Sequence, residues 1–340
     1  MKSKLKLGIL GTGRIGRLHV ENILIHFNNY AEIKVIYDPL LQEDNSWAKL
    51  LGILEKYTND LNVVFTDKDI DAVIICSTTD THVEYIERAL EFNKHIFCEK
   101  PISQNLEKLE YINKKILEKP SLKFQVGFNR RFDKNIQCIK EKILKNNEIY
   151  LISLISNDPE LPSIEYLKNS GGLLLDMAIH DFDLIQYLVN DDICSVFSMG
   201  SVLISSNLKK IKDIDTCITQ VKFSKGILAN IINCRQSPIG YDQRIEVLTK
   251  QYNFKSENIR DSQVITENKQ GSVFSSPKNN FIERYQDSYV NELQSFFTSI
   301  ISNTSTVVGC SDIIKAVKVA KAAMISLEKN IPISPERVEK

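Results

Sequence analysis

Leu5-Lys6-Leu7-Gly8-Ile9-Leu10 runs directly into Gly11-Thr12-Gly13-Arg14-Ile15-Gly16, and the reading of these twelve residues decides the fold. The first six form a short apolar run of the kind that a parallel strand buries on both faces. The next six carry a G-x-G-x-x-G turn that feeds a helical segment, Arg14–His26. Gly11 permits the tight turn, Gly13 brings no side chain toward a pyrophosphate, and Gly16 lets helix and strand pack closely. The helix N-terminus then offers N–H groups and a positive dipole end to an anion. Glycine spacing of this kind also arises in purely structural turns, so the setting matters. A second apolar run, Ile33-Lys34-Val35-Ile36-Tyr37, ends in Asp38. That is about 20 residues past the last glycine, where an acidic residue hydrogen-bonds the ribose 2′-hydroxyl of a bound dinucleotide. A carboxylate there repels a 2′-phosphate, and Pro39 and Leu40 bring no Arg or Lys to bind one. NAD is therefore expected over NADP.

Strands and helices alternate through the first third of the chain. Residues 46–54, 83–92 and 106–118 read as helices; 73–77, 95–98 and 123–127 read as buried strands. This is the pattern of a doubly wound parallel sheet, whose crevice lies at the carboxyl ends of its strands. Ser77-Thr78-Thr79, Glu99-Lys100-Pro101 and Phe128-Asn129-Arg130-Arg131 fall there. Beyond it, 133–145 and 173–189 read as helices. Then 193–204, 216–223, 227–234 and 244–249 follow one another as strands with little helix between them, which predicts an α+β domain on an antiparallel sheet. The polar stretch 250–280 holds one short strand candidate, 262–266, and helices over 281–301 and 311–327 close the chain. The expected division is a nucleotide-binding domain over 1–128 and a second domain over 129–340.

The 340 residues suffice for two sizeable cores, and the formal net charge of zero disfavours nucleic acid and anionic membranes as partners. No apolar run approaches a membrane span. Met1-Lys2-Ser3-Lys4 before an apolar stretch faintly resembles a signal peptide, but the stretch is short and enters the glycine turn, so it reads as the first strand. Cys76, Cys98, Cys138, Cys194, Cys217, Cys234 and Cys310 form no C-x-x-C pair and are odd in number. Reduced, mostly buried thiols and a cytoplasmic location are expected. The five histidines show no metal-ligand spacing, and no metal is expected.

Two segments carry chemistry. Lys100 in Glu99-Lys100-Pro101 follows a strand end in the crevice, where a lysine can hold or deprotonate a hydroxyl; a solvated surface lysine is the alternative. In Ser170-Gly171-Gly172-Leu173-Leu174-Leu175-Asp176-Met177-Ala178-Ile179-His180-Asp181-Phe182-Asp183, a helix begun at the glycines would set Asp176 and His180, four apart, on one face, with Asp183 able to join them. A carboxylate that orients an imidazole suits proton transfer near neutral pH. An ordinary surface Asp–His pair is the alternative, but the apolar residues on all sides predict a buried helix, and buried polar groups need partners or a function.

With these segments in hand, the chain resembles the Gfo/Idh/MocA oxidoreductase family nearly end to end. The likeness rests on G-T-G-R-I-G at 11–16, D-I-D-A-V-I-I-C-S-T at 69–78, E-K-P at 99–101, V-G-F-N-R-R-F-D at 126–133, S-G-G-L-L-L-D-M-A-I-H-D-F-D at 170–183 and Y-D-Q-R-I-E-V at 241–247. Within the family it is most similar to the inositol 2-dehydrogenases. The resemblance implies a Rossmann domain and a C-terminal α+β domain with a large, open, mostly antiparallel sheet. It implies a catalytic set of Lys100, Asp176 and His180. Gly11, Thr12, Gly13, Arg14, Ile15 and Gly16 would wrap the pyrophosphate of NAD and Asp38 would hold the adenosine ribose. Ser77, Thr78 and His82 would line the cofactor channel, with Glu99 and Lys100 near the nicotinamide ribose. Asn129 and Arg130 would face the junction of cofactor and substrate, and Asp158 and Tyr241 would reach the substrate. Asn157 stands where similar sequences often carry Arg, and Asn129 where some inositol dehydrogenases carry Met, which leaves the polyol open. The implied reaction is NAD-dependent oxidation of a ring secondary alcohol, with myo-inositol the leading substrate. Another inositol isomer, an aldose or a modified sugar is the alternative, and a non-catalytic NAD sensor the alternative of another class. A homo-oligomer, dimer or tetramer, is implied as well, because a broad open sheet face needs cover.

Overall fold

The computed structural model describes residues 4–40, 46–146 and 148–338, with the backbone alone of Asn146. Met1, Lys2 and Ser3, at the faintly signal-like start, lie outside the described residues. The chain divides into two compact units: the chain up to Asn129 together with Tyr289–Ile314, and Arg130–Ser288 together with the chain from Lys315 on.

The first unit follows the alternation read from the sequence. Its elements are β1 (Leu5–Leu10), α1 (Arg14–His26), β2 (Ala31–Tyr37), α2 (Ser46–Leu50), β3 (Tyr57–Thr58), α3 (Leu61–Thr66), β4 (Ala72–Ile75), α4 (Thr79–Glu91), β5 (His95–Glu99), α5 (Leu106–Leu117) and β6 (Phe124–Gly127). The strands form one parallel sheet in the order β3-β2-β1-β4-β5-β6, so the strand order reverses beside β1. Such a switch point is where open α/β sheets bind ligands. Leu7, Ile9, Ile36, Ala72, Ile74 and Phe97 make a fully enclosed core with Val20 and Ile23 of α1. Each side chain of this size contributes about 1.5–3 kcal/mol on burial. β3 and α3 escaped the sequence reading; both are short.

The second unit contains α6 (Lys134–Asn146), β7 (Ile149–Asn157), α7 (Ile164–Ser170), α8 (Gly172–Asp176), α9 (Ile179–Val189), β8 (Ile193–Ser201), β9 (Thr216–Phe223), β10 (Leu228–Cys234), β11 (Asp242–Thr249), β12 (Asn253–Ser256), β13 (Ile265–Asn268) and β14 (Gly271–Phe274). Its main sheet runs β12-β11-β7-β10-β9-β8 and is antiparallel except where β7 meets β10. The first domain is thus a parallel Rossmann sheet and the second a mixed, largely antiparallel α+β domain. The strand predicted over 262–266 lies slightly later, in the β13–β14 hairpin. The strand predicted over 193–204 ends at Ser201, because Asp215 then accepts the N–H groups of Leu203, Ile204 and Ser205.

Three sequence expectations need correction. The helix predicted over 173–189 is two helices, α8 and α9, separated at Met177–Ala178; the Ala178 N–H reaches back five residues to the Leu173 carbonyl. The final helices, α10 (Phe281–Ile301) and α11 (Cys310–Lys329), do not fall wholly within a second domain. Leu293, Phe296 and Phe297 of α10 complete the core under the Rossmann sheet, and for this reason 289–314 belong to the first unit. All seven cysteines are free thiols, yet only Cys98, Cys217 and Cys310 are buried, whereas Cys138 and Cys194 are exposed. Among the described residues no helix is long and apolar enough to cross a membrane.

Candidate functional site

The glycine turn joins β1 to α1, and two of its glycines are compelled by the protein itself. Gly11 has φ +93°, and a Cβ on it would stand 2.8 Å from the backbone of Ser77 at the end of β4. A Cβ on Gly16 would stand 2.1 Å from the Gly11 carbonyl oxygen. Gly13 is different: a Cβ there would meet no protein atom within 4 Å, and its backbone conformation suits any residue. Protein packing does not explain the missing side chain, but an anion lying across the turn does. Gly13 is also the N-cap of α1 and supplies no side chain to bond the first-turn N–H groups. Arg14 and Ile15 open the helix behind it. These features fit the pyrophosphate of NAD.

Asp38 follows β2, and its Oδ2 accepts from the Thr12 amide at 2.8 Å and the Thr12 hydroxyl at 2.5 Å. Its Oδ1 accepts from the Leu40 amide at 2.9 Å. The carboxylate therefore shapes the glycine turn. Ser77 and Thr78 lie between β4 and α4, with the Ser77 hydroxyl 2.7 Å from that of Thr81. His82, buried on α4, ties two crevice segments together. Its Nδ1 is 2.9 Å from the Pro101 carbonyl and its Nε2 is 3.0 Å from the Ser77 carbonyl. Burial pushes its pKa down, against the two carbonyl acceptors, which raise it. His82 thus braces the segment after β4 against the E-K-P segment.

Glu99 ends β5. Its Oε2 accepts from the Lys100 amide at 3.3 Å, and its Oε1 lies 2.8 Å from His19 Nε2 on α1. A Cβ on Gly127 would strike the Glu99 carboxylate at 2.8 Å, which accounts for the glycine after Val126. Behind this pair sits Glu292 of α10, wholly enclosed, with His19 Nε2 4.0 Å from its Oε1 and no hydrogen-bond partner for either oxygen. Burial, and then the charge on Glu99, hold the Glu292 carboxyl well above the usual range. One ring nitrogen of His19 and one carboxylate oxygen each of Glu99 and Glu292 lie within 4.8 Å of one another. No histidine spacing in the sequence announces this cluster, since its members come from α1, β5 and α10.

In the second unit, Asp176 ends α8 and His180 lies in the first turn of α9. They do not share one continuous helix face, as the sequence reading had it. Another signal replaces that one: from Leu173 to Ile185 every residue is buried except Asp176 and His180, which are half-buried. Asp176 Oδ1 accepts from the Tyr166 hydroxyl at 2.9 Å, and its Oδ2 from Arg235 Nη1 at 3.5 Å. Gly172, at φ +79°, brings the start of α8 against Asp213. A Cβ on Gly172 would lie 2.7 Å from Asp213 Oδ1, which accepts the Leu173 amide at 3.0 Å.

The remaining motif residues are occupied with one another. Arg130 Nη1 donates to Asp181 at 2.6 Å and to Ser156 at 3.1 Å, and Nη2 reaches the Tyr241 hydroxyl at 3.5 Å. Burial works to lower the Arg130 pKa, but Tyr285, Tyr241 and Asp181 outweigh it and raise it. Burial raises that of Tyr241. Arg131 grips Asp183 through two bonds, at 2.9 and 2.6 Å. Asp183 is therefore a partner of Arg131 and not a third member of the His180 face. The R-R-F-D and H-D-F-D segments thus lock together pairwise in a buried network, as buried charges require. Asp158 follows β7 and stands 3.9 Å from Arg235 Nη1. Asn157 donates to Asp242 at 3.2 Å. Asn129 is the last residue of the first unit and is buried. Arg235 and Tyr166, both at Asp176, were missed in the sequence. A lone Arg after a strand and a Tyr on an amphipathic helix give no local signal.

Comparison with known proteins adds to this geometry. The family description "Oxidoreductase family, NAD-binding Rossmann fold" matches residues 5–128, and "GFO/IDH/MocA C-terminal domain" matches 148–253. An uncharacterized oxidoreductase of Bacillus subtilis, YrbE, is 39% identical over 100% of this chain and 99% of its own length. The myo-inositol 2-dehydrogenase of Thermotoga maritima is 35% identical over 98% and 99%. The crystal structure of scyllo-inositol dehydrogenase from Lactobacillus casei, with NAD(H) and scyllo-inositol bound, is 30% identical and superimposes with a TM-score of 0.90 over 98% of this chain and 100% of that one.

Proposed function

The chain belongs to the GFO/IDH/MocA family of oxidoreductases, and from that premise we propose that it is an NAD-dependent dehydrogenase of cyclic polyols. Its leading substrate is myo-inositol, oxidised to the 2-ketone, and scyllo-inositol is the nearest alternative. The observation that carries the reading is the accessibility of Asp176 and His180 alone within the buried stretch 173–185. Polar side chains kept half-open in such a segment, on a chain with an NAD turn, are placed for chemistry.

NAD, when bound, supplies the two-electron acceptor; the protein supplies position and proton handling. In the proposed division of labour, His180 takes the proton of the substrate hydroxyl and the Asp176 carboxylate stabilises the imidazolium that forms. Lys100 donates a hydrogen bond to the same oxygen and stabilises its developing negative charge. His82 and Glu99 hold the E-K-P segment from which Lys100 projects. Asp38 disfavours the 2′-phosphate of NADP. Asp158 and Tyr241 are assigned to the substrate side. The presence of Lys100, Asp176 and His180 together favours an enzyme over an NAD sensor.

A homo-oligomer belongs to the same proposal. One face of the second sheet carries an apolar row, Met199, Ile218, Ile232 and Ile155, on successively paired strands, and a second row, Leu228, Leu151 and Leu248, beyond the polar row of Gln220, Asn230, Ser153 and Glu246. Such a patch on a sheet is a self-association surface in kind. Initial rates of NADH and NADPH formation with myo-inositol, scyllo-inositol, glucose and xylose test the assignment. Turnover of an inositol with NAD is expected. Preference for an aldose moves the substrate, and no turnover of any of the four with either cofactor refutes the polyol reading.

A further inference from the structure

Arg235 lies directly after β10 with 1% of its side chain exposed, and its guanidinium faces three carboxylates from three other segments. Nη1 donates to Asp176 Oδ2 at 3.5 Å and stands 3.9 Å from Asp158 Oδ2; Nη2 stands 3.9 Å from Asp213 Oδ2. Nε and Nη2 of Arg235, and Oδ2 of Asp213, have no hydrogen-bond partner in the protein although all are out of solvent. Arg131, in the same unit, makes two short bonds to one carboxylate, at 2.9 and 2.6 Å. Arg235 stands at a longer distance from three acids, two of which the function assigns to proton handling and to the substrate side. The third, Asp213, holds the amide of Leu173 and thereby the start of α8, the helix that ends in Asp176.

We infer that Arg235 is a positioning residue: it is the buried cation that holds the Asp176 carboxylate in one orientation and ties it to the Asp158 loop and to the glycine turn at 171–172. This rests on the reading of Asp176 as part of the proton-handling pair. Both ends of α8 are then tied to one guanidinium, through Asp213 at the start and directly at Asp176. A displacement of about 1 Å in a catalytic group costs on the order of 10²-fold in rate, so a residue that fixes Asp176 without touching substrate acts on kcat.

The test is a double-mutant cycle on the full-length protein with the preferred inositol and NAD, using Arg235→Gln, Asp176→Asn and the two combined, with Arg235→Lys beside them. Arg235→Gln is expected to lower kcat by about 10²-fold while leaving NADH binding unchanged, since the glycine turn belongs to the other unit. In the Asp176→Asn background the same substitution changes kcat by less than about threefold, because its partner is already compromised. Arg235→Lys, which keeps the charge, recovers at least about tenfold of the loss. If Arg235→Gln does not fold, the cycle is run with Arg235→Lys, whose smaller loss must likewise vanish in Asp176→Asn. Losses that multiply in the double variant, or an Arg235→Gln enzyme with wild-type kcat, overturn the inference alone. Wild-type protein that oxidises no polyol overturns the functional reading and this inference with it.

Discussion

Two glycine-led turns open helices in this chain, and they are completed in opposite ways. At 11–16, two glycines are demanded by the protein's own packing, while the third, Gly13, faces open space at the start of α1. At 171–172, Gly172 is pressed onto Asp213, whose carboxylate already takes the Leu173 amide at the start of α8. At α1 the N-cap makes no side-chain hydrogen bond, whereas at α8 a carboxylate of the protein takes a first-turn amide. The first leaves its helix terminus for an external anion, and the second fills it from within. A glycine motif is therefore read less by its spacing than by what occupies the helix terminus behind it.

Substitutions at the two turns sharpen this contrast. Gly13→Val is expected to weaken NADH binding by about a hundredfold or more, near 2.7 kcal/mol, with the melting temperature of the free protein unchanged. Gly172→Ala should behave inversely. It forces a side chain onto φ +79° and against Asp213, which costs about 1–3 kcal/mol of stability, and NADH affinity stays as in the wild type. Fluorescence titration with NADH and thermal melts of both variants decide the matter; a Gly172→Ala protein that melts normally but loses NADH would reverse the assignment of the two turns. A smaller effect is expected at Asp38. Asp38→Asn removes the charge and keeps an acceptor for Thr12, so the ratio of kcat/KM for NADP over NAD should rise by roughly tenfold, about 1.4 kcal/mol. An unchanged ratio would mean that Asp38 serves the turn alone.

The pH dependence of stability probes the first unit in another way. Burial and the neighbouring Glu99 raise the Glu292 carboxyl in the folded state above its ordinary value of 4.5. A group raised on folding contributes fully below its unfolded pKa, and that contribution is lost as pH rises toward the folded one. The wild type should therefore lose stability relative to Glu292→Gln as pH is raised from about 4.5 through neutrality. Parallel melting curves of the two proteins across that range would show that Glu292 is not held neutral.

The two units also differ in how far their sequences could be read. In the first, every strand but β3 is a short, mostly apolar run, and Asp38 sits at a fixed distance from Gly16. Almost every element was legible, and so was the cofactor. In the second, Asp176 and His180 stood out in the sequence, but Arg235 and Tyr166 beside Asp176 did not, and neither did the arrangement of the segment. Leu173 to Val189 contains no Gly or Pro to mark the break at Met177–Ala178. β7 was missed because its outward positions, Leu151 and Ile155, are apolar like its inward ones, which erases the alternation that identifies a half-buried strand. Arg235, Arg130 and Arg131 find their partners across the fold. No spacing within one segment announces such pairs, and both acids of H-D-F-D, Asp181 and Asp183, are tied to arginines.

The central claim is that His180 and Lys100 handle the substrate proton on a protein that binds NAD independently of His180. It is tested most directly by measuring NADH affinity and inositol-dependent NADH formation for the wild type, His180→Ala and Lys100→Ala side by side. The expected result is near-normal NADH binding in His180→Ala and a loss of kcat of roughly 10²- to 10⁴-fold in each variant. A His180→Ala or Lys100→Ala enzyme that turns over inositol at close to the wild-type rate would contradict the account.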